Sequence, residues 1–301
     1  MHLLDAVIGK IAELDPLHGK KLRASAMMGE PSYLADAQDF LEQYQVVLKG
    51  RGLTLDHAVS CYLQMIADVR YESVQFIRSG EYSSKSFEEV QQRVYQSPGV
   101  MEYYMHGLLL SQFLWAHHYD TLCFFRKALH SVRQEISGYL EVGGGHGWYL
   151  REATRILRPH TDFEMIDISP HSLEMAERMI GEASVRYTLA DVFSVKDEGL
   201  RDFICLGEVL EHMEDPAALL NKLSGLLKPH GYLFITTPTN APAIDHIHLF
   251  RNCGEIRDLL NQCGYRVLTE SCASSEDMSP EEADRRQITV MYAALLKINS
   301  E

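Results

Sequence analysis

Several acidic and histidine side chains in this chain are spaced in ways that suit ligand chemistry. Glu141 is followed by Gly143, Gly144, Gly145 and Gly147, so a carboxylate stands at the entrance to a run of residues without a Cβ. Such residues admit positive φ and let a bound molecule approach the backbone closely. Asp167 comes 20 residues after Gly147. An acid there can accept hydrogen bonds from both hydroxyls of a ribose, although Asp167 with Ser169-Pro170 also reads as a helix start with a capping side chain. Asp191 follows a third apolar run and is either a ligand contact or a simple turn residue. In Glu208-Val-Leu-Glu211-His212-Met-Glu-Asp215-Pro216, Glu208 and His212 lie four apart and would share one face of a helical turn. In Asp245-His246-Ile247-His248 two histidines sit beside an acid. Imidazoles titrate near neutral pH and suit general-base work. A metal centre needs three or four ligands; with only two histidines local, no metal is expected.

The elements that must position these groups change character along the chain. From residue 138 strands are predicted over 138–142, 163–166, 185–189, 202–206, 232–236, 265–270 and 288–298, with helices over 148–157, 172–180, 216–227 and 252–263. Alternation of this kind argues a mostly parallel sheet. Residues 274–284, acidic and serine-rich, read as a solvated loop between the last two strands. Residues 1–137 are instead helical in pattern, with apolar positions recurring every three or four residues over 5–14, 34–49, 55–78, 87–96, 100–118 and 119–135. Breaks with Gly or Pro turn chemistry fall at 15–16, 29–31, 50–52, 79–80 and 97–99, and Ser86-x-x-Glu89 forms a capping box. The last two of these helices carry Tyr103, Tyr104 and His106, then Trp115, His117, His118 and Tyr119. They are either an ordinary buried stripe or, standing just before the first strand, a lid over the ligand mouth.

Bulk numbers exclude several classes. At 301 residues with 46% hydrophobic and 23% charged residues, the chain can build a core without staples. No window approaches the ~18 apolar residues of a membrane span, and the N-terminus lacks the pattern of a secretory signal, so a cytoplasmic protein without membrane attachment is expected. Of the formal net charge of −14, most falls late: 13 Lys/Arg against 16 Asp/Glu precede residue 138, and 15 against 26 follow. An acidic surface repels phosphate backbones, so a nucleic-acid partner is not expected, while a homodimer stays open. The six cysteines form no C-x-x-C pair and read as reduced, mostly buried thiols.

Taken in order, Glu141-x-Gly143-x-Gly145-x-Gly147, Asp167, Ala190-Asp191-Val192-Phe193, the Glu208–Pro216 run and Leu227-Lys-Pro-His-Gly231 with its Thr-Pro-Thr-Asn240 exit resemble class I S-adenosylmethionine (SAM) dependent methyltransferases, in their small-molecule branch. The resemblance covers residues 138 to about 298. It departs from the family at His230, where a glycine is usual, and at Thr239, inserted before Asn240. It implies an α/β, doubly wound, seven-stranded mostly parallel sheet whose seventh strand inserts antiparallel beside the sixth, as a SAM-binding domain over 138–301 behind an all-helical lid and substrate lobe over 1–137. It further implies that Glu141, Gly143, Gly145 and Glu208 meet the cofactor, that Asp167 and Ile168 hold the ribose, that Asp191 and Val192 meet the adenine, and that Leu206 and Gly207 lie along the methionine arm. Trp148 and Tyr149 would join the wall. His246, His248, Tyr104 and His118 would orient an acceptor oxygen or nitrogen of a small-molecule substrate. Two other outcomes stay open: members of this superfamily also cyclise SAM, releasing methylthioadenosine and azetidine-2-carboxylate, and a protein of this fold can bind SAM without turnover.

Overall fold

The computed structural model describes residues 2–25, 30–196 and 200–299. Met1, Gly29 of one expected break, and residues 300–301 of the second expected unit lie outside them. The first stretch of chain is helical: α1 (Leu3–Leu14), α2 (Pro16–Ala24), α3 (Pro31–Gly50), α4 (Leu55–Ser79), α5 (Phe87–Val90), a π-helical turn Gln91–Tyr95, α6 (Pro98–Leu114) and α7 (Ala116–Val132). Here the sequence misleads in three places. Asp15-Pro16 breaks the chain after α1 as expected, but an unexpected helix, α2, starts there: Asp15 Oδ1 accepts the His18 N–H at 3.0 Å, and proline is pre-organised for a first helical position. The helix expected over 87–96 runs as α5 and then widens into the π turn Gln91–Tyr95. The boundary expected at 118–119 falls at Trp115, whose extended backbone ends α6 and begins α7.

Seven strands follow as expected: β1 (Gly138–Val142), β2 (Asp162–Asp167), β3 (Val185–Leu189), β4 (Arg201–Gly207), β5 (Leu227–Thr239), β6 (Tyr265–Ser274) and β7 (Val290–Ile298). They form one sheet in the order β3-β2-β1-β4-β5-β7-β6. β7 is antiparallel to β5 and β6, and the remaining neighbours are parallel. Every residue of β1 is buried, the pattern of a parallel strand covered on both faces. The chain leaves β1 for β2 on one side and reaches β4 on the other, and such a reversal of strand order opens a crevice at the carboxyl ends of the strands. Helices α8 (Trp148–Ile156), α9 (Pro170–Ile180), α10 (Pro216–Leu226) and α11 (Cys253–Gln262) cover the sheet, and α12 (Pro280–Arg286) begins within the expected loop 274–284 and runs past its end. Ser279 Oγ caps α12 by accepting the Glu282 N–H at 3.3 Å. Its acids at the first turn and arginines at the last suit the helix dipole.

Two apolar cores result. One face of the sheet packs Tyr139, Phe203 and Phe234 with Tyr149, Trp148 and the lobe residues Phe40, Phe113 and Phe125. The other packs Leu140, Ile204 and Leu206 with Leu219, Leu223 and Ile256. All six cysteines are free, and three rather than most are buried: Cys61, Cys205 and Cys253. Among the described residues no helix is long and apolar enough to cross a membrane.

Candidate active site

A cavity of about 600 Å³ fills the crevice at the carboxyl ends of the strands. The glycine turn forms its floor. Gly145 has φ +53°, and a Cβ built there would meet nothing within 4 Å, so the backbone is open to a ligand. Gly147, φ +74°, serves packing instead: a Cβ there would lie 2.6 Å from Ala176 Cβ of α9. Glu141, at the end of β1, accepts a hydrogen bond from the Tyr139 hydroxyl. Burial pushes its carboxyl up to about 8, against the lowering effect of bonds from Tyr139 and Cys205.

Asp167 ends β2. Its Oδ2 accepts the Gly145 N–H at 3.2 Å and its Oδ1 accepts the Ser169 N–H at 2.8 Å. Burial raises it to about 6 despite those bonds. The cap of α9 is Ser169, whose Oγ accepts the Ser172 N–H at 3.3 Å, so Asp167 is not consumed as a cap and lines the cavity beside Ile168. Asp191 accepts the Phe193 N–H at 2.9 Å, opening a short 3-10 turn, and lines the cavity with Val192.

Glu208 and His212 do not share one continuous helical turn. Glu208 holds φ +54°, its N–H donates to the Thr236 carbonyl at 2.9 Å, and a 3-10 turn Leu210–His212 follows. Glu208 and His212 nevertheless both line the cavity. This turn is stitched to the 241–248 loop. The Glu211 carbonyl accepts the N–H groups of Ile247 at 2.8 Å and His248 at 2.9 Å, and His212 Nδ1 lies 2.9 Å from the Asp245 carbonyl. Asp245 accepts the hydroxyls of Tyr104 at 2.8 Å and Tyr95 at 3.3 Å. The lobe holds the same loop from outside: the Ala241 N–H donates to Tyr82 Oη at 2.9 Å, Ser84 Oγ donates to the Ile244 carbonyl at 2.9 Å, and the Arg93 guanidinium donates to both Ser84 and Ile244. Burial, then the Glu211 charge, raises Glu208 to about 8. Burial lowers His246 to about 4 and His118 well below its ordinary value. For His212 burial is outweighed by Asp245 and Glu211, which hold the imidazole above its ordinary value.

Of the expected residues, Glu141, Gly143, Gly145, Tyr149, Asp167, Ile168, Asp191, Val192 and Glu208 meet around this cavity, with Tyr104, His118 and His246. His118 Nδ1 lies 3.1 Å from Ser111 Oγ. Three expected residues lie elsewhere. Leu206 points into the far core with Leu140 and Ile204, because neighbouring strand residues face opposite sides, and Gly207 and Glu208 stand at the cavity in its place. His248 turns its ring onto Phe250 at 4.5 Å between centroids, its backbone pinned by the Glu211 carbonyl. Trp148 faces Phe40 and Phe113 in the lobe core. Tyr95 and Met105 also line the cavity; no local pattern marks Tyr95, whereas Met105 adjoins Tyr104 on α6.

A family model described as a methyltransferase domain matches residues 115–273. The ubiquinone biosynthesis O-methyltransferase of Xanthomonas euvesicatoria pv. vesicatoria (strain 85-10) is 32% identical over 119 residues, 38% of this chain and 48% of that protein. The chain thus spans about half the length of the curated relatives it matches. Two solved structures share the fold. The N-methyltransferase NodS from Bradyrhizobium japonicum WM9, in complex with S-adenosyl-L-homocysteine, aligns with a TM-score of 0.51 at 15% identity over 71% of this chain and 99% of its own. The mitomycin 7-O-methyltransferase MmcR aligns with a TM-score of 0.53 at 13% identity over 81% of this chain and 70% of its own.

Proposed function

This chain belongs to the class I SAM-dependent methyltransferase family, and from that premise we propose that it transfers a methyl group to an oxygen or nitrogen of a small molecule. The observation that carries the reading is a single cavity shared by the glycine turn, Asp167 and Asp191 with Tyr104, His118 and His246. The residues fit the cofactor: the open face of Gly145 leaves room for a ligand against the backbone, and Asp167 presents a buried carboxylate beside it. SAM, when bound, supplies a methyl group activated on a sulfonium sulfur. The rest is alignment, since an in-line displacement needs the acceptor about 3–3.5 Å away in the right direction. Asp167 and Ile168 would hold the ribose, Asp191 and Val192 the base, and Glu141 and Glu208 the amino-acid arm. Tyr104, fixed by its bond to Asp245, and His246, whose Nδ1 has no hydrogen-bond partner, would orient the acceptor. The cavity volume falls within the ~300–1,000 Å³ typical of small-ligand sites. A wall rich in carboxylates favours a neutral or cationic acceptor.

Incubating the purified protein with SAM and a panel of hydroxylated and amine-bearing small molecules tests this. S-adenosylhomocysteine formed only when an acceptor is present is the expected result. Methylthioadenosine released from SAM alone would replace this reading with intramolecular cyclisation, and tight SAM binding with no product would leave a binding protein.

A further inference from the structure

We propose that Glu211, His212 and His246 form a binding site for a divalent first-row transition-metal ion in the wall of the cavity. Its assignment to the acceptor end rests on the methyl-transfer reading above. One ligand atom from each of the three residues lies within 4.8 Å of the other two. Two ligand-type atoms of these residues make no hydrogen bond: Glu211 Oε1 and His246 Nδ1 are buried without one, in residues only 0% and 8% exposed. Buried polar groups are nearly always paired, so two orphans within one three-residue cluster point to a missing ligand.

The remaining atoms of the cluster are fixed as a metal site would require. Thr237 Oγ1 donates to Glu211 Oε2 at 2.8 Å, leaving Oε1 free. His212 Nδ1 lies 2.9 Å from the Asp245 carbonyl, which makes it the N–H and leaves the Nε2 lone pair toward Glu211. Metal-ligating histidines characteristically donate their other ring N–H to a carbonyl or carboxylate. A second cluster in the chain shows what a filled site looks like. His57, Glu102 and His106 also gather three ligand-type atoms, but Arg51 already occupies the centre, 2.9 Å from Glu102 Oε2 and 3.0 Å from His106 Nε2. Around Glu211, Thr237 donates to Oε2 and the His212 ring stands 4.0 Å from Oε1, while Asp245 lies beside His212 and takes the hydroxyls of Tyr95 and Tyr104.

Two imidazoles with one carboxylate suit Zn²⁺, Fe²⁺, Co²⁺ or Mn²⁺ better than Mg²⁺ or Ca²⁺, which prefer oxygen. Three protein ligands leave coordination positions open, and His212 and His246 both line the cavity. The open positions would take a hydroxyl of the acceptor and favour loss of its proton to solvent. The transfer itself stays balanced: the oxygen–carbon bond forms as the carbon–sulfur bond breaks, and the electron pair leaves on sulfur.

The test is a titration of the chelator-treated, full-length protein with Co²⁺, followed by its visible absorption, and with Zn²⁺ by calorimetry. Saturable binding is expected, weakened at least about 10-fold in His246→Ala, His246→Asn and Glu211→Gln and unchanged in His57→Ala and His248→Ala. Circular dichroism identifies variants that retain the fold, and the His246 pair decides the matter if Glu211→Gln unfolds. No saturable binding by the wild-type chain, or undiminished binding in both folded His246 variants, would overturn the site. SAM affinity is measured on the same samples. Metal binding without SAM binding would support the site while removing the methyl-transfer reading, whereas full methylation by protein shown to be metal-free would overturn the metal's assignment to the acceptor end alone.

Discussion

Replacing Asp167 by asparagine keeps its shape and removes its charge. Charge-assisted hydrogen bonds contribute about 1.5–3 kcal/mol each, so calorimetry on Asp167→Asn should show SAM affinity reduced by about 10–100-fold with little change in melting temperature. The glycine turn separates binding from folding. Gly145→Ala places a methyl group in open cavity space, and its left-handed backbone adds strain of about 1–2 kcal/mol; loss of SAM binding in a folded protein is expected. Gly147→Ala collides with Ala176 and should lower the melting temperature first. Glu141 sets a pH dependence. Its folded-state value of about 8 lies above the ordinary 4.5, so between those values the folded state binds more protons than the unfolded state and stability falls as pH rises. Glu208 behaves alike. The ligand-free protein should therefore melt at lower temperature at pH 8.5 than at pH 6.5, and Glu141→Gln should remove roughly half of that slope.

At the scale of elements, the 241–248 loop is held in place by the lobe through Tyr82, Ser84 and Arg93. Arg93→Ala removes charged hydrogen bonds without touching the cavity floor, so steady-state kinetics should show the acceptor KM raised up to about tenfold with SAM affinity unchanged; equal losses for both ligands would show that the loop positions the cofactor too. The same loop marks the limit of what the sequence discloses. Glu141, Gly145, Asp167 and Asp191 were legible because each lies at a strand end, where short-range spacing fixes the geometry. The meeting of Glu211 and His212 with His246 was not. It depends on β5 carrying the chain away and on the Glu211 carbonyl catching the returning loop, a long-range pairing with no local signature. The helix α12 was hidden differently: Ser279 and Glu282 carry a capping signal, but acidic composition argued louder for a loop. Leu206 shows the reverse error, a motif position carried over without asking which side of the strand it faces.

Across the whole molecule, lobe and sheet share one core. Trp148 meets Phe40 at 4.9 Å and Phe113 at 5.7 Å between ring centroids, and Arg126 bridges Asp36 of α3 to Glu152 of α8. Phe40→Ala, at a fully buried site, should cost about 3–5 kcal/mol and lower a single calorimetric transition rather than melt one half alone; two separated transitions would show the halves to be independent. The chain has just two tryptophans. Trp148 adjoins the last glycine of the turn, buried beneath the Arg151 guanidinium 4.3 Å from its ring centroid, while Trp115 stacks on His117 at 5.6 Å. Occupancy of the cavity should thus be written into intrinsic emission. A Trp115→Phe chain becomes a single-emitter protein whose fluorescence follows ligand arrival at the turn in real time, without a label and without knowledge of the acceptor.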